Sequence, residues 1–375
     1  MTFELSRRHL FGAASLGTAM ALGGAPSILR AASAPAEATL FGPAPGVAQL
    51  SRNENPYGPS PKAIEAMMAA ASRSCYYSDV GVRVLTEMIA ERFNVRPEQV
   101  VLGEGSTEVL NAAALALAQD GHILCPDLFW DTTVNYAANQ GARVVRVPLK
   151  ADMSVDLDGM AAAVSPDTKL VQLCNPNNPT GMLVDGATMA AFVSKVGPKA
   201  TVLVDEAYNE LADAPEAASV AHMVSAGANL IVCRTFSKIY GMAGLRVGYA
   251  ITTPELAAKI RSHIMSFGGN TMGLAAAIAS YNDTAFMSAS KAQIVEARGI
   301  MQEAAKRAGL EVLPSQANFL FVKVADADRL RTAMADRNIM IRGAYGKWTQ
   351  WSRVSTGRIE DVKRYAAALP ELVQA

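Results

Sequence analysis

An α/β protein with a parallel sheet between layers of helices, joined to a smaller α+β lobe, is predicted by three observations on this sequence. Short runs rich in β-branched residues alternate with Ala-rich stretches of helical length, the order of a parallel-sheet domain. Those runs read as continuous apolar runs, not alternating ones, so both faces of the sheet are expected to be covered. From about Gly309 the alternation gives way to shorter mixed segments, the pattern of a separate lobe. Half of the 375 residues are hydrophobic and 18% are charged, ample for two domains or one large domain with a lobe. The 34 Lys+Arg balance 34 Asp+Glu, and a net charge of zero argues against a nucleic-acid partner. No run of about 18 uninterrupted apolar residues marks a membrane span, and no regular period marks a solenoid.

Taken in order, residues 1–36 read as an address. Ser6-Arg7-Arg8-His9-Leu10-Phe11 is a basic n-region, 12–26 a Gly/Ala-rich apolar run and 31–36 a small-residue tract, the layout of a secretory signal. The adjacent arginines resemble the twin-arginine export signal. That resemblance implies the export machinery as a partner, passage of an already folded chain and a periplasmic location, or a cytoplasmic one if the signal is not used. Cleavage after Ala36 is favoured over Ala31, and an amphipathic N-terminal helix is the other reading.

Residues 37–81, with Pro56, Pro59 and Pro61, form an arm expected to pack with the lobe or reach a neighbouring subunit. Residues 82–308 are the large domain, with strands at 100–102, 122–125, 144–147, 169–174, 201–204, 230–233 and 247–251. Helices are expected at 108–118, 130–139, 186–195, 254–266 and 283–308. Residues 309–375 are the lobe, with strands at 311–313 and 318–324 and a helix near 326–338. Cys75, Cys125, Cys174 and Cys233 show no paired spacing and read as small hydrophobes. His122, His222 and His263 lack metal-ligand spacing, so no metal is expected.

Five features at the ends of predicted strands carry chemistry. Gly103-Glu104-Gly105-Ser106-Thr107 joins a strand to a helix, where exposed amides and the helix dipole favour a phosphate; a plain tight turn is the alternative. Asn175-Pro176-Asn177-Asn178-Pro179-Thr180-Gly181 is a rigid loop whose amides can donate to an oxygen of a bound aromatic ligand. Asp205, ending an apolar strand in Asp205-Glu206-Ala207-Tyr208, needs a cation or strong donors, unless it caps a helix. In Thr235-Phe236-Ser237-Lys238 a desolvated lysine can act as an amine nucleophile, or be a surface lysine, and Arg246 beyond it suits a phosphate. Arg353, in Ser352-Arg353-Val354-Ser355-Thr356-Gly357, is placed to receive a substrate carboxylate or to make a structural ion pair. Trp348 and Trp351 flank it and suit either an apolar pocket or the core.

The run from Asn53 to Gly58, the Asn-Pro-Asn-Asn-Pro-Thr-Gly loop, the Asp-Glu-Ala-Tyr tetrad and the segment from Thr235 to Gly248, in this order and spacing, resemble the class I/II, fold-type I pyridoxal-phosphate aminotransferases. The chain is most similar to their histidinol-phosphate aminotransferase branch, over about residues 47–370. The resemblance implies a large domain with a mostly parallel seven-stranded sheet between helices and a smaller α+β domain. It implies that Lys238 holds the cofactor as a Schiff base and shuttles a proton, that Asp205 pairs with the pyridine nitrogen, and that Asn178 and Tyr208 bond the ring's phenolic oxygen. Gly105, Ser106 and Thr107, with Thr235, Ser237 and Arg246, would hold the phosphate. Tyr77 resembles a tyrosine sent to the neighbouring subunit's phosphate, which implies a homodimer. Arg353 would grip the substrate carboxylate or phosphate, with Tyr57 and Asn55 lining the pocket. Two departures stand out: Pro126-Asp127-Leu128-Phe129-Trp130 makes Phe129 the ring-stacking residue with Trp130 as rival, and Ser78 replaces a proline after Tyr77.

The implied reaction moves an amino group from an amino acid or amino phosphate, histidinol-phosphate-like or aromatic, to a 2-oxo acid such as 2-oxoglutarate. The alternatives are a decarboxylase or lyase of the threonine-phosphate decarboxylase type and a non-catalytic protein that binds pyridoxal phosphate.

Overall fold

In the structure, a computed structural model, residues 39–374 are described. The expected export signal lies outside the described residues. The strands are β1 (Ala48–Gln49), β2 (Val100–Glu104), β3 (His122–Pro126), β4 (Arg143–Val147), β5 (Thr168–Cys174), β6 (Thr201–Asp205), β7 (Leu230–Thr235), β8 (Val247–Ile251), β9 (Phe319–Lys323), β10 (Ile339–Met340) and β11 (Trp351–Ser355). All seven apolar runs read from the sequence therefore form strands. They make one sheet of order β2-β8-β7-β6-β5-β3-β4, in which β8 runs antiparallel to both its neighbours and the other pairs are parallel. The reversal matters for chemistry: the carboxyl ends of β2, β5, β6 and β7 and the amino end of β8 all meet one edge of the sheet.

The helices are α1 (Pro61–Ala70), α2 (Asp79–Phe93), α3 (Ser106–Leu117), α4 (Thr132–Asn139), α5 (Leu157–Ala163), α6 (Gly186–Val196), the single turns α7 (Pro215–Ala218) and α8 (His222–Ser225), α9 (Pro254–Arg261), α10 (Thr271–Ser280), α11 (Thr284–Arg307), α12 (Ala327–Ala335) and α13 (Ile359–Gln374). A large apolar core joins the sheet to helices such as α3, α6, α9 and α10. A second core is built from β9, β10 and β11 with α11, α12 and α13. The long helix α11 enters both, through Ile294 in the first and Ala297, Met301 and Ala304 in the second. In the arm, β1 pairs in parallel with β10, whereas α1 packs on α10 and sends Ala63 into the large core.

The expected helix over 254–266 stops at Arg261, where turn-forming Ser262, Gly268 and Gly269 take over and Phe267 adopts a left-handed φ of 58°. The strand expected at 311–313 is a single bridge, Val312 to Val322. Helix α3 starts at Ser106, two residues before the expected start at 108, which makes Gly105 its cap.

The second acid of the Asp-Glu-Ala-Tyr tetrad is structural. Glu206 is 1% exposed and accepts from Arg234 Nη2 at 2.6 Å, Arg234 Nε at 3.0 Å, Ser219 Oγ and the Val220 amide. Arg234 in turn reaches Glu210 at 3.1 Å. Removing the guanidinium strands a buried carboxylate, so Arg234→Ala is expected to lose about 3–5 kcal/mol of stability. Urea unfolding of the two proteins checks this, and coincident curves would show that the pair contributes nothing.

Candidate active site

A cavity of 570 Å³ opens at the edge where the strand ends meet. One wall is built around glycine. Gly105, at φ 78°, follows β2, and a Cβ on it would lie 2.1 Å from Arg246 Nη2. A Cβ on Gly248 would lie 2.1 Å from the Ser106 amide nitrogen. Only glycine at both places lets the first turn of α3, Arg246 and β8 close on one point. No side chain caps that turn, and the amides of Ser106 and Thr107 meet no acceptor among the described residues. Opposite them the Thr235 hydroxyl donates to Ser237 Oγ at 3.0 Å. Arg246, itself left-handed at φ 51°, donates through Nη1 to the Ala243 carbonyl at 2.7 Å and reaches Ser237 Oγ at 3.4 Å. Two free amides, two hydroxyls and a guanidinium without a carboxylate partner form an anion cradle.

At the centre stand two buried charges. Asp205 ends β6, is 5% exposed, and its carboxylate accepts one hydrogen bond, from the Ala207 amide at 3.1 Å; no cation lies within ion-pair distance among the described residues. Burial pushes its pKa up to about 7, against the Ala207 bond and the attraction of Lys238. The Lys238 ammonium makes no hydrogen bond among the described residues and sits 5.5 Å from the Tyr208 ring centroid. Burial, with repulsion from Arg353 and Arg246, brings it down to about 8, although Asp205 and Glu54 oppose the shift. Its loop rests on the arm: a Cβ on Gly58 would stand 2.7 Å from Gly241 Cα.

The third wall fixes a phenol. Asn178 Nδ2 donates to the Tyr208 hydroxyl at 3.2 Å, and Arg353 Nη1 donates to Asn178 Oδ1 at 2.7 Å. Burial raises the Tyr208 pKa, so the phenol keeps its proton. Arg353 also donates to the Ser51 carbonyl at 2.7 Å, while its buried Nε has no partner and no carboxylate meets the guanidinium.

Of the residues singled out in the sequence, Ser106, Thr107, Phe129, Asn178, Asp205, Tyr208, Thr235, Ser237, Lys238, Arg246 and Arg353 line this cavity, and Trp130 lines it beside Phe129. Gly105 is not among the lining residues, although it shapes the wall behind Ser106 and Arg246, and three lie elsewhere in the chain as described. Asn55 is buried outside the lining, with its amide bonded to the Ile239 carbonyl at 2.7 Å and to Ser290, so it braces the residue after Lys238. Tyr57 accepts from the Ile359 amide at 3.0 Å, at the start of α13. Tyr77 is 74% exposed and pairs its ring with Phe267 at 5.0 Å. Trp351 stacks on Phe321 in a small core that Trp348 also joins, and neither tryptophan lines the cavity.

Among the lining residues that the sequence reading did not name as site residues are Arg52, Asn53, Arg342 and Tyr345. Arg342 reaches the site because its backbone bridges that of Arg353, a pairing with no local signal. Asn53 could have been suspected from its place in the asparagine-rich run before Pro56, since asparagine tolerates left-handed backbone and its φ is 57°.

The residues fit pyridoxal phosphate. The cradle suits its phosphate, the unpaired Asp205 its ring nitrogen, the Tyr208 and Asn178 pair its phenolic oxygen, and the free Lys238 amine its aldehyde.

Comparison with known proteins agrees. The family described as aminotransferase class I and II matches residues 45–369. Histidinol-phosphate aminotransferase 2 of Ralstonia nicotianae is 38% identical over 330 residues, spanning 86% of this chain and 88% of that protein. The histidinol-phosphate aminotransferase of Moorella thermoacetica is 34% identical over 331 residues, 87% and 86% of the two. The crystal structure of histidinol-phosphate aminotransferase from Sinorhizobium meliloti in complex with pyridoxal-5'-phosphate matches with a TM-score of 0.80 at 31% identity, covering 87% of this chain and 90% of that one.

The Asp205 shift has a consequence for the cofactor-free protein. Its folded pKa of about 7 lies above the ordinary 3.8, so the stability it contributes is full below pH 3.8 and is lost as pH rises through about 7. Asp205→Asn is expected to raise the melting temperature at pH 8 and to leave it unchanged near pH 4. Thermal unfolding at both values checks this; an equal gain at both would refute the burial of an unpaired charge.

Proposed function

The chain belongs to the aminotransferase class I and II family, and we propose that its amino donor carries a doubly charged phosphate monoester, in the manner of histidinol phosphate, with a 2-oxo acid such as 2-oxoglutarate as acceptor. The activity is pyridoxal-phosphate-dependent transamination. A decarboxylase is not favoured, since the relatives named above are aminotransferases. One observation carries the substrate proposal: Arg52, Arg342 and Arg353 all line the cavity, and none is held by a carboxylate among the described residues.

Pyridoxal phosphate, when bound, supplies an aldehyde that condenses with amines and a ring that takes up the electron pair of a substrate Cα–H bond. Asp205 would hold the ring nitrogen and keep it protonated, which its burial without another cation suits it to do. Lys238, once neutral, takes the proton from substrate Cα and returns it to carbon at the other end of the transfer; its lowered pKa makes a neutral amine available near pH 8. Tyr208 and Asn178 would hold the phenolic oxygen, and Phe129, with Trp130 as rival, would cover the ring face. Arg353, whose guanidinium lines the cavity and meets no carboxylate, takes the anionic group of the substrate, and Arg342 and Arg52 add charge for a phosphate dianion.

The protein acts as a homodimer in this reading. Tyr76, Tyr77 and Val80 in one segment and Met265 and Phe267 in another are large exposed apolar side chains, and the Tyr77–Phe267 pair joins the two segments. A second copy would cover this face and receive Tyr77 at its phosphate cradle. The Arg7-Arg8 signal sends the folded protein to the periplasm.

Lys238→Ala is expected to abolish the yellow colour of the protein's covalent adduct and to cut transamination by at least about 10²–10⁴-fold. Absorbance and coupled assays check it, and a colourless wild type loaded with excess cofactor would refute the assignment. Arg342→Gln is expected to raise KM for histidinol phosphate by about tenfold or more while leaving KM for phenylalanine within about twofold. Equal effects on both donors would refute a role of Arg342 specific to the phosphate dianion. Replacing Arg7 and Arg8 by lysine is expected to retain the protein in the cytoplasm, read by cell fractionation, and unchanged export would refute the twin-arginine reading.

A further inference from the structure

We propose that Asn53 is a positioning residue that turns the Tyr208 hydroxyl proton into the cavity, toward the phenolic oxygen of bound pyridoxal phosphate. The inference rests on the reading of Tyr208 given above and concerns how its proton is aimed.

Every polar group of Asn53 is committed. The residue is 1% exposed; its N–H donates to Ser355 Oγ at 2.9 Å and its carbonyl accepts from Asn318 Nδ2 at 3.0 Å. Its side-chain Oδ1 accepts from Ser355 Oγ at 2.6 Å, and its Nδ2 donates to the Tyr208 hydroxyl at 3.0 Å. The orientation of the amide follows from counting protons. The backbone N–H can only donate, so Ser355 Oγ accepts there, and the single serine proton must go elsewhere. With the amide reversed, that proton would have no acceptor in a residue that is 1% exposed. Oδ1 therefore faces Ser355, and Nδ2 faces Tyr208.

The same count holds on the other side. A guanidinium can only donate, so Arg353 Nη1 fixes Oδ1 of Asn178 toward itself and leaves Nδ2 of Asn178 for the Tyr208 hydroxyl at 3.2 Å. A phenol oxygen accepts two hydrogen bonds and donates one. With both acceptor positions filled by amides that cannot receive, the phenol's one proton has only the cavity left, and Tyr208 lines that cavity. The network fixes the direction of a single O–H bond from three parts of the chain: the arm, the loop after β5 and the strand β11.

A proton aimed at the phenolic oxygen favours its anionic form, and the protonation midpoint of the bound chromophore falls accordingly. Asn53→Gly removes the donor without charge, and glycine accepts a φ of 57° without strain. In the holoenzyme, Asn53→Gly is expected to raise the midpoint of the pH titration of cofactor absorbance by roughly 0.5–1 unit, the size of one hydrogen bond. Tyr208→Phe is expected to raise it at least as far, and the double variant no further than Tyr208→Phe alone. If Tyr208→Phe shifts the midpoint and Asn53→Gly does not, or if the two shifts add in full, the role of Asn53 is overturned while the Tyr208 contact stands. If Tyr208→Phe leaves the midpoint in place, the contact and the aiming fall together. Should Asn53→Gly fail to fold, Ser355→Ala removes only the hydroxyl that orients the amide; the midpoint is again expected to rise, and an unchanged midpoint overturns the proposal.

Discussion

The site depends on two charged groups kept from water and from each other's full embrace. Asp205 and Lys238 are presented by adjacent strands of one sheet, β6 and β7, yet no ion pair forms between them. Had they met, each would have satisfied the other and neither would be reactive. Their separation leaves a space for a small charged ring, and the sheet maintains it at the cost of burying unpaired charge. The neighbouring pair Glu206 and Arg234 shows the opposite solution: the same stretch of chain buries a carboxylate against a guanidinium and makes a strut of it. Two consecutive acids thus divide into a chemical one and a structural one by which side of the sheet edge their partners occupy.

The sheet was legible in the sequence because its strands are short and bounded by turn residues and most are apolar on both faces, so that all seven runs appear as strands within a few residues of their expected limits; only the edge strand β4 departs, alternating with Arg143 and Val145 exposed. Helices were less so. Residues 271–280, Thr-Met-Gly-Leu-Ala-Ala-Ala-Ile-Ala-Ser, are apolar almost all round and carry no stripe to mark a buried face, and the arm helix α1 begins at a proline that reads equally well as a turn. The residues at strand ends could be found because a charged or glycine residue after an apolar run breaks a local rule. Arg342 breaks none; it enters the cavity only through a backbone pairing with Arg353, a relation of tertiary structure. Asn55 and Tyr57 show the converse, since proximity in sequence to the Asn-Pro-Tyr run does not decide where a side chain's hydrogen bonds go.

The arrangement draws its precision from donors that cannot accept. Arg353 and the amides of Asn53 and Asn178 form a chain in which each orientation is dictated by a group with no alternative. The phosphate cradle uses the same device, with helix amides and Arg246 facing inward and glycine letting them converge. A cavity lined this way discriminates by charge before it discriminates by shape.

The contact between Gly58 and Gly241 carries an evolutionary meaning. Two backbones that touch with no room for a methyl group cannot drift independently, because no substitution at one can be relieved by a smaller residue at the other. The arm and the loop behind the nucleophile, distant along the chain, therefore constrain each other as a matched pair, and grafting either from a relative onto this protein requires grafting both.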